Sequence, residues 1–404
     1  MKKKIAYWAL YDFANSLVLI SFLFYFSQWL VINQGRPAWW YNSSLILSSA
    51  LFILTAPFVS RLIDRSGKKI GGLRFWTTIS FISFAAVALI AMLSDNFDLL
   101  ATVLYTIANY AYTVCFLYFT PMLNDLSNDE NRSRVSGIGQ GANAIGQVLG
   151  LLITLPFVNG AITLFGEAGR AQALLPAAAL FLIFSLPIMI LYKEEDGAIP
   201  KVITAIASPI ASLKKVFSYK TMALLLIAYF LFSDALLTFA NNFPLYLETL
   251  HGASDSLKAG LTMAILVLSG IGAVIFGRIA DKRGEFKTLK LILLLWALLF
   301  PIMAFLPNLK ALIPVFVVAG IIFGPVWGIS RSLVGRYALK GFVASSYSYY
   351  VVAERFATFI GPAIWSLALI SFGEGPAGYR AALLAMSGLL ILGLIALSRI
   401  KNSP

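Results

Sequence analysis

Asp12 lies in the run Trp8-Ala-Leu-Tyr-Asp-Phe-Ala-Asn-Ser16, with Asn15 and Ser16 three and four positions on. That spacing puts the three side chains on nearly one helical face. Asp234 lies in a second long apolar run and Glu354-Arg355 in a third. An ionised side chain at mid-bilayer costs about 2.5–3.5 kcal/mol on insertion scales, so each of these groups needs a use. Two carboxylates facing one cavity suit a cationic group or a travelling proton. Adjacent helical residues point about 100° apart, so Glu354 and Arg355 do not pair with each other. Arg355 has four candidate roles: a partner for Asp12, a partner for Asp234, a site for an anionic substrate group, or half of a structural ion pair. For Asp12 three roles stay open: substrate or proton site, gate, and structural cap.

Uncharged polar residues extend the pattern. Gln140, Asn143 and Gln147 recur at i, i+3 and i+7, one stripe on one helix. Asn109, Tyr112 and the pair Asn241-Asn242 beside Pro244 lie in other apolar runs, and Tyr347, Tyr349 and Tyr350 open another. Such groups can bind a zwitterion without net charge. They serve equally as interhelical hydrogen bonds worth around 0.6 kcal/mol each.

Other chemistries lose support. The single histidine, His251, sits in a short loop and Cys115 is the only cysteine. An intramolecular disulfide is ruled out, and a zinc centre or a Ser-His-Asp hydrolase is not expected. No enzyme activity, metal or cofactor is expected.

These residues need elements to hold them. Of 404 residues 59% are hydrophobic and 12% charged, against about 25% charged in soluble domains. A bilayer core about 30 Å thick takes roughly 20 apolar residues per helix. Runs of that length recur throughout, and twelve spans are expected. Asp12 falls in span 1 (7–31), the Gln-Asn-Gln stripe in span 5 (135–158), Asp234 in span 7 (221–247), and Glu354-Arg355 in span 11 (345–371). The layout is an N-terminal six-helix bundle over 1–192, a cytoplasmic linker over 193–220 and a C-terminal six-helix bundle over 221–404. In the linker, Glu194-Glu195-Asp196 precede Lys201-Val-Ile-Thr-Ala-Ile-Ala, a pattern that suits either a plain tether or a helix on the membrane interface. The start Met1-Lys-Lys-Lys lacks a small-residue cleavage site after the first apolar run, so span 1 is expected to be retained.

The net charge of +13 invites a nucleic-acid reading, but its distribution argues against one. Twenty-five of the 31 lysines and arginines fall on the side of the N-terminus, five on the other, and Arg355 inside a span. Positive charge stays cytoplasmic during insertion. Both termini are therefore expected in the cytoplasm, and the short loops suit a bacterial inner membrane.

The loop after span 2 reads Ser60-Arg-Leu-Ile-Asp64-Arg-Ser-Gly67-Lys-Lys69, and the loop after span 8 reads Gly277-Arg-Ile-Ala-Asp281-Lys-Arg-Gly284-Glu-Phe-Lys287. Both follow small-x-aliphatic-x-Asp-x-x-Gly and then basic residues, 217 positions apart. An aspartate at a helix end can accept N–H groups from a neighbouring helix N-terminus. The glycine makes the turn, and the basic residues meet anionic headgroups. The two loops resemble the A motif of the major facilitator superfamily with its second-half copy, Ser60 replacing the usual glycine. Trp8-Ala-Leu-Tyr11-Asp12-Phe-Ala-Asn15-Ser16 is similar to the opening signature of the UMF1 branch, which includes autophagy-related vacuolar amino-acid effluxers. Pro57, Arg134-Val-Ser136-Gly137, Ser330-Arg331-Ser332 and Phe356 to Pro362 fit the same branch. Phe342-Val-Ala-Ser-Ser-Tyr-Ser-Tyr-Tyr350 departs from its acidic, Phe-rich stretch, and Glu354 is not usual there.

The resemblance implies a major facilitator fold, an all-α membrane protein of twelve transmembrane helices in two bundles. It implies secondary transport by alternating access. The expected substrate is a small polar solute, amino acids first, with protons as coupling ion at Asp12 and Asp234. Asp64, Gly67, Asp281, Gly284, Arg134 and Arg331 become a cytoplasmic gate. Gly137, Gly141, Gly146 and Gly150 of span 5 and Gly270, Gly272 and Gly277 of span 8 become packing residues between those two helices. The expected partners are the substrate and the lipid bilayer, with the chain acting as a monomer. Two alternatives stand beside this reading: an exporter of a larger or more apolar solute such as a drug or siderophore, and a non-transporting receptor or scaffold.

Overall fold

The computed structural model describes residues 2–36, 38–93, 96–165, 167, 169–194, 209–306, 308–373 and 375–400. Its α-helices, in chain order, are α1 Lys2–Gln28, α2 Ala38–Ser66, α3 Ile70–Leu93, α4 Asp98–Phe119, the short α5 Met122–Leu126, α6 Arg132–Val158 and α7 Leu174–Leu191. They continue with α8 Pro209–Ser218, α9 Lys220–His251, α10 Asp255–Arg283, α11 Glu285–Phe305, α12 Leu309–Tyr337, α13 Val343–Phe372 and α14 Pro376–Ser398. Among the described residues, twelve helical segments are long and apolar enough to cross a membrane. Helix is the answer chemistry requires: with no water in the hydrocarbon, each backbone N–H and C=O must be satisfied within its own segment.

Burial runs opposite to that of a soluble protein. Leu54 and Ile370 stand 68% and 81% exposed, facing where lipid tails would lie, while Asp12, Asn15, Asp234 and Ser136 are buried. Pro57, Pro156, Pro187, Pro244, Pro301 and Pro362 lie inside helices. Neighbouring helices and side chains re-satisfy the backbone groups that such prolines free in a membrane.

The chain divides into two compact units, Met1–Leu126 with Ala142–Ile206, and Ser127–Gly141 with Ala207–Pro404. In the first, α1 packs on α7, α2 on α4, and α3 on both α4 and α7. In the second, α9 packs on α14, α10 on α12, and α11 on both α12 and α14. The same pairing scheme thus recurs, as the repeated loop motif predicts. The first unit is built on aromatic contacts: Trp8 stacks on Phe119 at 4.9 Å and donates its indole N–H to that residue's carbonyl at 3.1 Å. In the second unit, Phe239 packs on Phe300 at 5.0 Å and Trp296 on Phe300 at 5.4 Å.

Two expectations change here. Span 5 carries its glycines on two faces. A Cβ at Gly137 would overlap the Ala273 carbonyl of α10, and one at Gly277 would lie 2.6 Å from the Ser133 carbonyl of α6. A Cβ at Gly146 would instead overlap the Phe13 carbonyl of α1, and one at Gly150 would lie 2.8 Å from that of Leu17. Gly272 faces the Ile321 carbonyl of α12 rather than α6. In the linker, Lys201 to Ala207, the stretch proposed for an interfacial helix, lies outside the described residues. The described helix there is α8, with Val216 buried and Lys214 and Lys215 exposed.

Candidate functional site

In the first unit, the close approach of α1 to α6 at Gly146 and Gly150 brings Asp12 and the polar stripe together. The Asn143 amide donates to Asp12 Oδ1 at 3.1 Å, and the Gln147 amide donates to Asn143 Oδ1 at 2.8 Å. Asp12 is 1% exposed. Ser16 turns back to donate to the Asp12 carbonyl at 2.9 Å, on the same helix. Asn15 is fully buried, and neither its amide nitrogen nor its oxygen has a hydrogen-bond partner. Buried polar atoms are rarely left unpaired, because each costs about 1–3 kcal/mol. Helix α1 begins at Lys2, so Asp12 lies well beyond its first turn. A side chain there cannot cap that helix, whose open N–H groups belong to the first turn.

In the second unit, Asp234 on α9 accepts the backbone N–H of Gly361 on α13 at 2.6 Å. Nearer the start of both helices, the Tyr229 hydroxyl donates to Glu354 Oε2 at 2.6 Å, and Tyr229 stacks on Tyr350 at 4.1 Å. Two carboxylates therefore lie along one α9–α13 seam. Arg355 follows Glu354 and is half-buried. Gln140, also half-buried, packs beside Gly328 of α12. Asn241 is exposed, whereas its neighbour Asn242 donates back to the Thr238 carbonyl of its own helix at 2.8 Å.

The loop end of the second unit is a dense polar network. Gly284, at φ +97°, closes α10 by donating its N–H to the Ala280 carbonyl at 2.9 Å. That turn leaves Asp281 facing the first turn of α6, where Oδ1 accepts Ser133 N–H at 3.0 Å and Oδ2 accepts Arg134 N–H at 2.8 Å. An anion at a helix N-terminus meets both the open donors and the positive end of the dipole. Arg134 enters through its backbone, since its side chain is exposed. Arg331, 7% exposed, donates Nε to Ser136 Oγ at 2.9 Å and Nη2 to the Ser136 carbonyl at 2.8 Å. Ser136 Oγ donates in turn to the Gly328 carbonyl at 2.6 Å.

Glu285, Ser133, Ser332, Arg336 and Asp129 complete this network and were not among the candidates. Glu285 accepts the Ser133 hydroxyl at 2.6 Å, the Ser332 hydroxyl and the Arg336 guanidinium. Asp129, in the loop before α6, pairs with Arg132 at 2.5 Å, and that hydrogen bond holds its carboxyl below the usual carboxylate range. The available signal was position: Glu285 directly follows the motif glycine and opens α11, where an acidic residue is favoured.

The first loop motif is built differently. Gly67, at φ +65°, ends α2, and Asp64 is half-buried in the last turn of that helix. The carboxylate at the next helix start comes from Glu194, whose Oε1 accepts the N–H groups of Lys69 and Ile70 at α3, the latter at 3.0 Å. Lys69 also reaches Asp125 at 2.8 Å. In the sequence Glu194 belonged to an acidic cluster of the linker with no assigned partner.

The motifs and this fold find counterparts among known proteins. A family profile described as Major Facilitator Superfamily matches residues 10–362. Over 96% of this chain and 94% of the relative, the sequence is 21% identical to an uncharacterized MFS-type transporter, YxiO, of Bacillus subtilis. It is 26% identical to autophagy-related protein 22-2 of Neosartorya fischeri, over 42% of this chain and 30% of that protein. Among solved structures, the fucose:proton symporter FucP of E. coli matches with a TM-score of 0.77 at 15% identity, covering 100% of this chain and 98% of that one. Twelve membrane-crossing helices, the repeated pairing scheme, the two loop motifs and a family match over most of the length lead to one assignment: the chain is an integral membrane protein of the major facilitator superfamily, a secondary transporter and not an enzyme.

Proposed function

We propose that this transporter moves small polar solutes, amino acids first, by alternating access coupled to protons. The observation that carries the reading is the group formed by the buried Asp12 and Asn15 with the half-buried Asn143 and Gln147. An amino-acid zwitterion offers an ammonium donor and a carboxylate acceptor. Asp12 matches the ammonium, and the Asn15 amide has an unpartnered NH2 group and an unpartnered oxygen for the two ends. The resemblance to the UMF1 branch supports the same substrate class. Asp12 and Asp234 occupy corresponding helices and can each exchange one proton, while Gln140, Asn241, Glu354 and Arg355 are proposed as further contributors. The network around Asp281, Gly284, Arg134 and Arg331, with Asp64 and Gly67 as the first-half copy, is proposed as the cytoplasmic gate. Residues 1–192 and 221–404 are proposed as the two moving bundles, joined by 193–220. A monomer in a bacterial inner membrane, with both termini cytoplasmic, agrees with the charge asymmetry.

The test is uptake of a pooled, labelled amino-acid mixture by reconstituted vesicles, with and without an inward proton gradient. Uptake should rise with the gradient; Asp234→Asn should lose that rise while sparing exchange, and Asp12→Asn, which also removes the ammonium's partner, should lose the rise and weaken exchange. No uptake in vesicles holding folded protein rejects the substrate, and a full gradient response in both variants rejects the coupling.

One observation favours a second reading, export of a more apolar solute. A cavity of about 80 Å³ in the second unit is lined by Phe239, Phe243, Trp296, Phe316 and Phe323, together with Thr262. Apolar groups favour such aromatic surroundings. Efflux of an apolar dye that falls with Phe243→Ala and is untouched by Asp12→Asn supports this alternative.

A further inference from the structure

Glu354 stands inside α13, a helix long and apolar enough to cross the membrane, where an ionised side chain is costly without a partner. One of its oxygens is settled: Oε2 accepts the Tyr229 hydroxyl of α9 at 2.6 Å. The Tyr229 ring is fully buried and stacks on Tyr350 at 4.1 Å, and the Tyr350 hydroxyl donates to the Trp327 carbonyl of α12 at 3.5 Å. The other oxygen, Oε1, has no hydrogen-bond partner among the described residues and is not enclosed, the side chain being half-buried. Among the described residues no lysine, arginine or histidine pairs with Glu354. Arg355, the next residue, points about 100° away around the helix. The other acidic groups of this unit are engaged differently: Glu285 holds Arg336, Asp281 caps α6, and Asp234 takes the Gly361 N–H.

We infer that Glu354 is a seat for a cationic side chain of the solute, an alkylammonium or a guanidinium, so that lysine-like and arginine-like amino acids are the favoured substrates; this deepens the proposed amino-acid reading and rests on it. A carboxylate presents about four lone-pair positions, and Tyr229 uses one. Those left over suit an ammonium, or one edge of a guanidinium, through charge-assisted hydrogen bonds. The buried tyrosine pair fixes the carboxylate before any ligand arrives, so little side-chain freedom is lost on binding. A neutral amino acid carries a single ammonium, which Asp12 matches, and leaves Glu354 without a counter-charge. A second, side-chain cation supplies it.

Two other occupants fit less well. Hard metal cations gather a shell of about six or more oxygens, and among the described residues there is no cluster of three or more His, Cys, Asp or Glu able to hold a metal. A quaternary ammonium without N–H donors would need open aromatic faces. Tyr229 and Tyr350 stack on each other and are 0% and 5% exposed, so they offer a ligand little ring face. The open carboxylate oxygen is the contact that remains, and it calls for a cation that can donate.

The test is equilibrium binding of labelled L-lysine, L-leucine and cadaverine to the full-length protein in detergent at about pH 7, where lysine is fully charged. Leucine has lysine's backbone groups without its side-chain charge, and cadaverine has two amines without the carboxylate. Lysine should bind about tenfold or more tightly than leucine, the size of a hydrogen bond to a charged group. Glu354→Gln keeps the shape and removes the charge, and the lysine-over-leucine ratio should fall to near one; Glu354→Ala replaces it if that variant does not fold. Tyr229→Phe leaves the carboxylate charged but unheld and should lower the ratio severalfold. Equal affinities in the wild type, as a protonated Glu354 would give, overturn the inference, and so does a ratio that survives the loss of the Glu354 charge. Leucine binding with no preference for lysine keeps the amino-acid reading and rejects the seat. If neither amino acid binds, cadaverine decides: binding that depends on Glu354 keeps the seat and rejects the amino-acid reading, and no binding rejects both.

Discussion

Replacing Asp281 with alanine tests whether the repeated loop motif acts by holding a helix N-terminus. The carboxylate accepts two backbone N–H groups of α6, from Ser133 at 3.0 Å and Arg134 at 2.8 Å. A hydrogen bond to a charged group is worth about 1.5–3 kcal/mol. Asp281 is only half-buried, so water can replace part of what is lost, and capping substitutions cost about 0.5–2 kcal/mol. The two bonds together then come to roughly 2–3 kcal/mol, a factor of roughly 30 to 150 in a local opening equilibrium. Glu285 still holds the Ser133 hydroxyl, so the segment should loosen rather than detach. Hydrogen–deuterium exchange reads this directly, because protection of an amide measures its opening free energy. Ser133 and Arg134 should exchange faster by that factor in Asp281→Ala, and by less in Asp281→Asn, which keeps one acceptor. Peptides from α3 and α4 should be unchanged. Wild-type protection at Ser133 and Arg134 would refute the capping argument, and so would equal acceleration throughout the first unit.

Two further outcomes follow from the same geometry. Asp129 has its carboxyl held below the usual range by Arg132; a group shifted this way adds stability above its unfolded pKa near 4 and loses it as pH falls through the folded value. Because its side chain is 69% exposed, the effect should stay within about 1 kcal/mol: exchange at the start of α6 should quicken slightly below pH 4 in the wild type and show no such step in Asp129→Asn. In α10, Gly272→Ala should lower the apparent melting temperature, since its Cβ meets the Ile321 carbonyl and overpacking costs about 1–3 kcal/mol. Gly260→Ala on the same helix meets nothing within 4 Å and should be neutral or stabilising by up to about 1 kcal/mol, so a similar drop in both would undo the packing argument.

Much of the helical layout was readable because hydrocarbon forces one solution on the backbone: a long apolar run becomes a spanning helix. The Asp281 contact was readable too, because an aspartate at a helix end, followed by a turn glycine, has few uses. Side-chain partners were harder. Asn143 and Gln147 could be placed on one face by spacing, but not aimed at Asp12, because that meeting needs α1 brought within backbone reach of α6. Glu285 gathers groups from α6 and α12, elements distant in the chain, and no local pattern announces such a convergence. Gly361 looked like an ordinary glycine before a proline. Its backbone N–H is what Asp234 meets across the α9–α13 seam.

The glycines of α6 are the instructive case, because the answer was present in their spacing. Gly137 and Gly141 are one turn apart, as are Gly146 and Gly150, and both pairs read as close-packing motifs. From Gly137 to Gly146, however, is nine residues, about two and a half turns at 3.6 residues per turn, so the second pair must point away from the first. One helix is therefore cut to the backbone on opposite sides, towards α10 at its start and towards α1 further along. The division between the two compact units falls at Gly141 and Ala142, between these two sets of contacts. A polar stripe on the same helix inherits the division: Gln140 packs against α12, while Asn143 and Gln147 serve Asp12. The Ser133 and Arg134 amides that Asp281 caps and the Asn143 amide that meets Asp12 are thus groups of one helix, ten and nine residues apart, on either side of that division.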